Sequence, residues 1–443
     1  MLSDLQGTSK AAARYQPNDV HEVRCACRAT VLRSVCLIAV HSWTSTSAPW
    51  HRSGCQIHMR VLYLIDSLVP GGAEQSLASL APFYTGAGVR LDVAYLHDRP
   101  GLQPSLQEAG AELFCLGSGR DRLRSIQLTR RLIAERAPDL IHTTLFEADL
   151  AGRTAGWLSR VPVVSSLVNL EYGPEQRSDP RLKGWKLRAA QAADAGTARA
   201  VHRFHAVSRS VADVMARRLL LPRRRIDVVP RGRDAKGLGR RTSDRRAAAR
   251  GALGVDSTTS LVLAVARHEY QKGLDLLIEA FPRILHATPE ARLLVVGREG
   301  GHTNALSQAI QRLQLNEAVL LLGARNDVPD LLCGADVFVA PSRWEGLPGA
   351  VLEAMALEAP IVASDIPSVR EAVAEDSAVL VPSGDPVALA DAVTATLRDP
   401  SAAAERARHA RADFLERFTL EAVAAAMLSF YERALMRTRF RIP

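Results

Sequence analysis

Two short charged segments in the second half of the chain carry the residues best suited to chemistry. In the first, Arg267 and Lys272 follow the apolar run 261–266 and lie five positions apart. Two cations at a strand end fit a diphosphate, Arg through its planar fork and Lys as a point charge. An Arg and a Lys in a loop are by themselves more often solvated, so the interpretation depends on their surroundings.

The second segment contains two carboxylates, Glu345 and Glu353, eight positions apart. The apolar run 336–340 leads into the loop that holds Glu345, and Pro348 and Gly349 suit the first turn of a following helix. Carboxylates accept hydrogen bonds from pairs of sugar hydroxyls. Two Glu at this spacing are usually structural, but their place between a strand, a loop and a helix favours a binding site.

Glycines at further strand ends would let a ligand approach the backbone closely. Gly71 and Gly72 follow the first apolar run, Gly297 closes another, and Gly346 precedes Leu347 in the carboxylate loop. We predict that these five residues belong to one binding site with Glu353. A plain tight turn is the alternative at each glycine site, because the full dinucleotide fingerprint is absent from the sequence.

The elements that would position these residues alternate along the chain. Short apolar runs are separated by segments of helical spacing, which indicates βαβ units and parallel sheets. Loops at the carboxyl ends of such strands gather around a ligand. We predict an α/β fold of two Rossmann-like doubly wound domains, 59–238 and 239–415, followed by a helix over 416–437. The predicted strands are 61–65, 91–96, 112–116, 139–142, 162–168, 203–207, 261–266, 292–297, 318–322, 336–340, 360–364 and 378–381.

The first 58 residues differ from the rest of the sequence. They hold four of the six Cys and two of the five Trp, without sustained periodicity. We predict that 1–58 is a disordered extension or a mis-assigned start, with the protein beginning at Met59; a targeting tail is the alternative, and a secretory signal is not recognisable. The other two cysteines, Cys115 and Cys333, suggest neither a disulfide framework nor a metal site, which favours a reducing, cytoplasmic compartment.

The net charge of +9 is concentrated in one basic block. Between Arg217 and Arg250 there are thirteen Lys and Arg against three Asp. Such a block could meet phosphates, nucleic acid or anionic lipid, or it could be a solvated connector. No apolar run reaches the roughly 18–20 residues that cross a bilayer, which predicts a soluble protein or one held at the cytoplasmic membrane face.

From Met59 to about Leu435 the chain resembles glycosyltransferase family 4, whose members are retaining enzymes with the two-lobed GT-B fold. The resemblance rests on the two charged segments above and on further similar stretches: Gly71-Gly72-Ala73-Glu74, Ala340-Pro341-Ser342 and 359–365. It implies that Arg267 and Lys272 hold the diphosphate of a nucleotide-sugar donor. It also implies that Glu345 contacts the transferred sugar, that Glu353 contacts the ribose, and that the last helix crosses back to the first lobe.

Three positions on the acceptor side depart from the family pattern or leave their role open. Relatives often have a His after the fifth strand, where this chain has Asn169. Arg231 stands where relatives commonly have Asn, and an extra cation at the lobe junction could meet a phosphate or face solvent. His142 follows the fourth predicted strand, where a core role is at least as frequent as substrate contact.

The sequence therefore predicts a metal-independent, cofactor-independent transferase that moves a sugar from a nucleoside diphosphate to a hydroxyl of a glycan, a lipid-linked sugar or a small molecule. The sequence contains no Asp-x-Asp, and cations already occupy the expected phosphate position. A nucleotide-sugar-binding protein without transfer activity, or an isomerase of related shape, is the main alternative. Nucleic-acid binding is disfavoured because the basic block lacks interleaved aromatics.

Overall fold

The computed structural model describes residues 58–177, 179 and 183–439. The prediction for 1–58 lies outside these residues except at His58. The structure confirms an α/β fold built on two parallel sheets, called here the first and the second lobe.

The first lobe contains a seven-stranded sheet in the order β3-β2-β1-β4-β5-β6-β7, in which all neighbouring strands are parallel. The order reverses between β1 and β4, and the carboxyl ends of these two strands flank the crevice where such sheets bind ligands. The strands are β1 Met59–Ile65, β2 Val89–Tyr95, β3 Glu112–Cys115, β4 Leu140–Thr144, β5 Val163–Leu167, β6 Arg203–Ala206 and β7 Ile226–Val228.

The second lobe contains a six-stranded parallel sheet in the order β10-β9-β8-β11-β12-β13. Here the order reverses between β8 and β11, so the loops after these two strands are brought to one place. The strands are β8 Ser260–Val265, β9 Ala291–Val296, β10 Val319–Leu321, β11 Val337–Ala340, β12 Ile361–Asp365 and β13 Val379–Pro382.

Helices connect the strands, and several begin at a polar side chain that accepts a free backbone N–H. Ser208 caps α7 in this way and Thr242 caps α9. The helices are α1 Gly72–Gly86, α2 Gln103–Glu108, α3 Arg122–Arg136, α4 Phe146–Ser159, α5 Pro174–Arg177, α6 Gly184–Thr197, α7 Arg209–Arg218, α8 Ala235–Leu238, α9 Ser243–Ala252, α10 Leu274–Ala287, α11 Thr303–Arg312, α12 Val328–Gly334, α13 Gly349–Ala356, α14 Pro367–Ala372, α15 Pro386–Arg398, α16 Pro400–Arg417 and α17 Leu420–Arg439.

The twelve predicted strands match observed strands to within two residues at each end. The sequence did not predict β7, because its three residues lie inside the basic block. The helix predicted over 416–437 is corrected to Leu420–Arg439: α16 continues to Arg417, and the chain is extended at Phe418 and Thr419.

The extended residues Phe418 and Thr419 form one connection between the lobes, and they contact the other connection at Arg233. The N–H of Arg233 donates to the Phe418 carbonyl at 2.9 Å, and the N–H of Leu420 donates to the Arg233 carbonyl at 3.2 Å. Helix α17 then packs in the first lobe, where Met427 and Tyr431 share a core with Leu77 and Tyr84. The exact boundaries of the predicted domains stay a prediction.

The basic block is mostly bonded within the protein. Arg245 pairs with Asp330, and Arg246 and Arg250 both pair with Asp336. These three arginines therefore hold α9 against the second lobe, and their charge is balanced by acids outside the block. None of the described helices combines the length and apolarity needed to cross a membrane.

Candidate active site

The two charged loops of the second lobe lie in contact. Loop 266–273 follows β8, and loop 341–348 follows β11. Gly273 has φ 63°, and a Cβ at this position would lie well inside 3.0 Å of the Pro341 carbonyl oxygen. A side chain is therefore excluded by backbone conformation and by space. The N–H of Arg343 donates to the Gln271 carbonyl at 2.8 Å, which fixes the loops to each other.

Lys272 and Glu345 meet at this contact. The Lys272 ammonium forms an ion pair with Oε1 of Glu345, and the Ser342 hydroxyl donates to the same oxygen at 2.9 Å. Glu345 is buried, whereas a fifth of the Lys272 side chain is exposed. The sequence placed both residues in the site but did not predict that they pair directly.

Glu353 lies one turn into α13 and is also paired. The Arg233 guanidinium donates from Nε to Oε1 of Glu353 at 2.7 Å. It also lies against Gly349 at the start of α13, where a Cβ would collide with it. Arg233 was not predicted from the sequence, although it lies only two residues after the candidate Arg231.

Arg267 lies exposed just beyond the end of β8. Its positive charge acts on Glu74, in the first turn of α1. Burial raises the pKa of Glu74, and the positive charges of Arg267, Arg231 and Arg298 oppose that rise. Glu74 and Arg231 come from the first-lobe part of the chain, and Arg267 and Arg298 follow strands of the second lobe. Charged groups of both lobes therefore converge here, and Arg298 is a cation that the sequence reasoning missed.

The predicted glycines lie where another chain segment passes close by. At Gly297 a Cβ would collide with the Ala266 carbonyl oxygen, so this glycine permits the contact between the ends of β8 and β9. Gly71 lies against the Glu74 carboxylate, and at Gly72 a Cβ would lie 2.7 Å from Nη1 of Arg231. These tight contacts within the chain explain the glycines, and their contact with a donor stays a prediction.

Gly346 and Leu347 connect the lobes. A Cβ on Gly346 would collide with the Val168 carbonyl oxygen of the first lobe. The Ser208 hydroxyl donates to the Gly346 carbonyl at 2.7 Å, and the Leu347 carbonyl accepts from Arg231 at 3.1 Å. The carboxylate loop is therefore packed directly against the end of β5.

Asn169 also lies at this junction. Its Oδ1 accepts the N–H of Leu170 at 2.9 Å, and it lies 3.5 Å from Nε2 of Gln271 in the second lobe. Gln271 in turn donates to the Trp344 carbonyl at 2.8 Å. Asn169, which the sequence predicts on the acceptor side, thus lies close to the charged loops of the second lobe.

His142 is buried in β4, and both of its ring nitrogens are bonded. Nδ1 lies 2.6 Å from the Tyr431 hydroxyl, and Nε2 lies 2.7 Å from the Ser166 hydroxyl. The ring borders a cavity of about 40 Å³ that Arg231 also lines. Such a cavity holds one or two waters and is far smaller than a pocket for a sugar. His142 is therefore bonded as a core residue, and its contact with an acceptor stays a prediction.

The hydrogen bonds of His142 belong to a series of hydrogen bonds in which the donor and the acceptor of each bond can be assigned. The Val229 carbonyl can only accept, so Nε2 of His205 donates to it at 2.8 Å. Burial lowers the pKa of His205 to about 4, which leaves Nδ1 free to accept from Ser166. The Ser166 oxygen then accepts from His142, whose other nitrogen accepts from Tyr431. This series connects α17 to the backbone that precedes Arg231.

Aromatic side chains border the first charged loop. The Arg343 guanidinium lies 4.0 Å from the centre of the Tyr270 ring and forms a double ion pair with Asp275. Trp344 and His302 also pack against Tyr270.

Among the described residues, no group of three or more His, Cys, Asp or Glu is placed to hold a metal ion.

Two parallel-sheet lobes, with a charged cleft at their strand ends, define the GT-B class of fold. Solved structures agree. The chain matches Anabaena Alr3699/HepE in complex with UDP-glucose with a TM-score of 0.75 at 23 % identity, over 85 % of this chain and 100 % of that one. Sucrose-phosphate synthase of Thermosynechococcus elongatus matches with a TM-score of 0.74 at 21 % identity, with the same coverage.

Sequence comparison gives the family. Residues 70–236 match the family model described as Glycosyltransferase Family 4, and residues 259–399 match the one described as Glycosyl transferases group 1. The D-inositol 3-phosphate glycosyltransferase of Kineococcus radiotolerans is 30 % identical over 334 residues, which are 68 % of this chain and 73 % of that protein. The chain belongs to the family 4 (group 1) glycosyltransferases.

Other relatives match over shorter stretches. The lipopolysaccharide core biosynthesis mannosyltransferase LpsB of Rhizobium meliloti is 32 % identical over 43 % of this chain and 56 % of its own length. The UDP-Gal:alpha-D-GlcNAc-diphosphoundecaprenol alpha-1,3-galactosyltransferase of Escherichia coli is 28 % identical over 55 % and 62 %, respectively. The chain thus spans between half and two thirds of the length of these two relatives.

Proposed function

We propose that this protein is a retaining glycosyltransferase that moves a sugar from a nucleoside-diphosphate sugar to a hydroxyl acceptor. The observation that carries the proposal is the cluster of Lys272, Glu345 and Ser342 at adjoining strand ends of the second lobe, with exposed Arg267 at the start of the loop that carries Lys272. Cations there oppose the charge that grows on a departing diphosphate, and carboxylates bind sugar hydroxyls.

The proposed reaction needs no strong base on the protein. The bond from the anomeric carbon to the phosphate oxygen breaks, the acceptor oxygen bonds to that carbon on the same face, and the acceptor proton passes to the leaving phosphate. Lys272 and Arg267 stabilise the leaving diphosphate, and Glu345 orients the transferred sugar. Glu353 binds the ribose, and no metal takes part.

Lys272 and Glu345 neutralise each other in the site. Donor binding would exchange part of this ion pair for contacts with phosphate and sugar, so both partners stay compensated. The same holds for Arg233 and Glu353 on binding of the ribose.

The donor proposal is tested by binding and release. Melting temperatures of the wild type and of Lys272→Gln are compared with UDP-, GDP- and ADP-sugars, with exposed Lys186→Gln as the control. A donor at 100 times its Kd adds about 2.7 kcal/mol of stability. We expect one donor to stabilise the wild type and the control more than Lys272→Gln, and nucleoside diphosphate to appear only when an acceptor is present. Stabilisation without acceptor-dependent release would favour a binding protein instead.

We further propose that the acceptor is a glycan or a lipid-linked sugar met at the cytoplasmic membrane face. Relatives named above act on lipopolysaccharide core and on a diphosphoundecaprenol-linked sugar, to judge from their names. Within the basic block, Arg217 and Arg224 are exposed and flank Leu220, which is 77 % exposed. Helix α6, which bonds to the end of α7 through Gln191, has exposed Trp185 in its first turn.

Exposed apolar residues among cations are typical of a surface that binds anionic lipid. Sedimentation with phosphatidylglycerol and phosphatidylcholine liposomes tests this at low and moderate salt. We expect binding to the anionic liposomes alone, weakened by salt and by Leu220→Ser but not by the control Val387→Ser, which alters an exposed apolar residue of the second lobe. Equal binding to both lipids, or none, would exclude the surface.

A further inference from the structure

Arg231 is a cation held between the two lobes, and no carboxylate among the described residues pairs with it. Its Nη1 donates to the Leu347 carbonyl at 3.1 Å, in the loop before α13, and its Nη2 donates to the Val168 carbonyl at 3.3 Å, at the end of β5. Its Nε is buried and has no hydrogen-bond partner among the described residues. The sequence left open a solvent-facing role for Arg231; the residue is half-buried, with its guanidinium bonded across the junction.

Other buried arginines of the protein are compensated differently. Arg153 forms ion pairs with Asp149 and Asp194, and Arg250 forms one with Asp336. The hydrogen-bond acceptors around Arg231 are neutral carbonyls, while the charges of Glu345 and Glu74 act on it only from a distance. Burial, together with the neighbouring charge of Arg233, lowers the pKa of Arg231 to about 10. A buried cation in this state is stabilised by an added anion.

The surroundings of Arg231 place that anion in the cleft. Gly72, at the amino end of α1, lies so close that a Cβ would be 2.7 Å from Nη1. Leu347 connects Arg231 to the loop that carries Glu345. Because His205 holds the Val229 carbonyl, the backbone two residues before Arg231 is fixed as well. Arg231 is therefore oriented before a ligand arrives.

We propose that Arg231 binds an anionic phosphate oxygen of a substrate in the closed cleft. The phosphate is either the diphosphate of the donor or a phosphate ester on the acceptor, and this inference rests on the proposed function. Because its two carbonyl partners belong to different lobes, Arg231 would hold the phosphate at the junction of the lobes.

The chain offers a matched control for removal of such a cation. Arg241 is half-buried and also donates to two carbonyls, those of Glu358 and Ala335, at 2.8 Å each. These partners lie in the second lobe, away from the glycine loop of α1. Arg231→Gln and Arg241→Gln therefore remove the same guanidinium–carbonyl contacts, but only the first removes the proposed phosphate contact. Arg231→Lys keeps the charge and serves as the conservative variant.

Titration calorimetry gives the two readouts. The first compares UDP, GDP and ADP with the corresponding monophosphates. The second titrates diphosphate-saturated protein with glucose or mannose and with their 6-phosphates. A lost bond to a charged group weakens binding about tenfold to a hundredfold. We expect Arg231→Gln to weaken either the diphosphate but not the monophosphate, or the sugar phosphate but not the sugar, with partial rescue by Arg231→Lys.

The first pattern assigns Arg231 to the donor and the second assigns it to the acceptor. Normal affinities in folded Arg231→Gln, or equal losses in Arg241→Gln, would overturn the inference and leave the proposed function intact. A wild-type protein that binds no nucleoside diphosphate would overturn both.

Discussion

Replacement of Gly346 by Ala should separate donor binding from sugar transfer. Gly346 has an ordinary φ, so a methyl group there brings no left-handed backbone strain. The added Cβ would instead lie well inside 3.0 Å of the Val168 carbonyl oxygen, across the junction of the lobes. Ordinary contact requires about 3.5 Å, so the carboxylate loop and the end of β5 must separate by about 1.5 Å.

Such a displacement should act on the transfer step. Nucleotide contacts proposed for Arg267, Lys272 and Glu353 lie within the second lobe and remain. The acceptor side moves away from the sugar, and a misplacement of about 1 Å can reduce the rate about a hundredfold. We therefore expect Gly346→Ala to transfer the sugar about a hundredfold more slowly and to lose donor affinity by a clearly smaller factor.

The assay pairs donor calorimetry with single-turnover kinetics. Gly251→Ala is the control, because a Cβ at Gly251 in α9 meets no atom within 4 Å. Melting temperatures show whether both variants fold. A transfer rate for Gly346→Ala within a factor of three of the control would refute the reasoning that this contact sets the closed geometry.

Three further outcomes follow from the site. Because burial lowers the pKa of His205 to about 4, the unfolded chain binds a proton below about pH 6.5 that the folded protein excludes. The stability advantage of the wild type over His205→Gln should therefore shrink by about 2 kcal/mol between pH 7.5 and pH 5 in urea unfolding; a constant difference would contradict the buried neutral ring. Tyr431→Phe leaves Nδ1 of His142 without a donor and should cost about 1–3 kcal/mol in the same assay, with donor Kd unchanged. Glu353→Ala should raise the donor KM about tenfold to a hundredfold with little change in kcat, whereas an unchanged KM would exclude ribose binding.

The parts of the site that could be predicted follow from local sequence. Arg267, Lys272 and Glu345 each follow an apolar run, and parallel strands bring the loops at their carboxyl ends together. The pairing of these charges could not be predicted in the same way. Lys272 and Glu345 are 73 residues apart within the second lobe, and Arg233 and Glu353 are 120 apart, so both contacts depend on tertiary packing.

Packing also explains why β7 and the start of α17 were not predicted correctly from the sequence. Strand β7 has three residues and is flanked by arginines, so its stability comes from pairing with β6 and is not visible as an apolar run. Helical periodicity continues through 416–420, but Phe418 and Thr419 are drawn into contact with Arg233. His142 has the position of a site residue, and only the contacts of Ser166 and Tyr431 show that it belongs to the core.

The central claim is that the second lobe holds a donor diphosphate whose departure Lys272 assists. The most direct measurement is the single-turnover rate of sugar transfer from the donor found in the melting panel, for the wild type, Lys272→Gln and the exposed control Lys186→Gln. Loss of one preorganised group that opposes developing charge should lower the rate of folded Lys272→Gln about 10²- to 10³-fold, while the control keeps the wild-type rate. Transfer by folded Lys272→Gln at the wild-type rate would contradict the account.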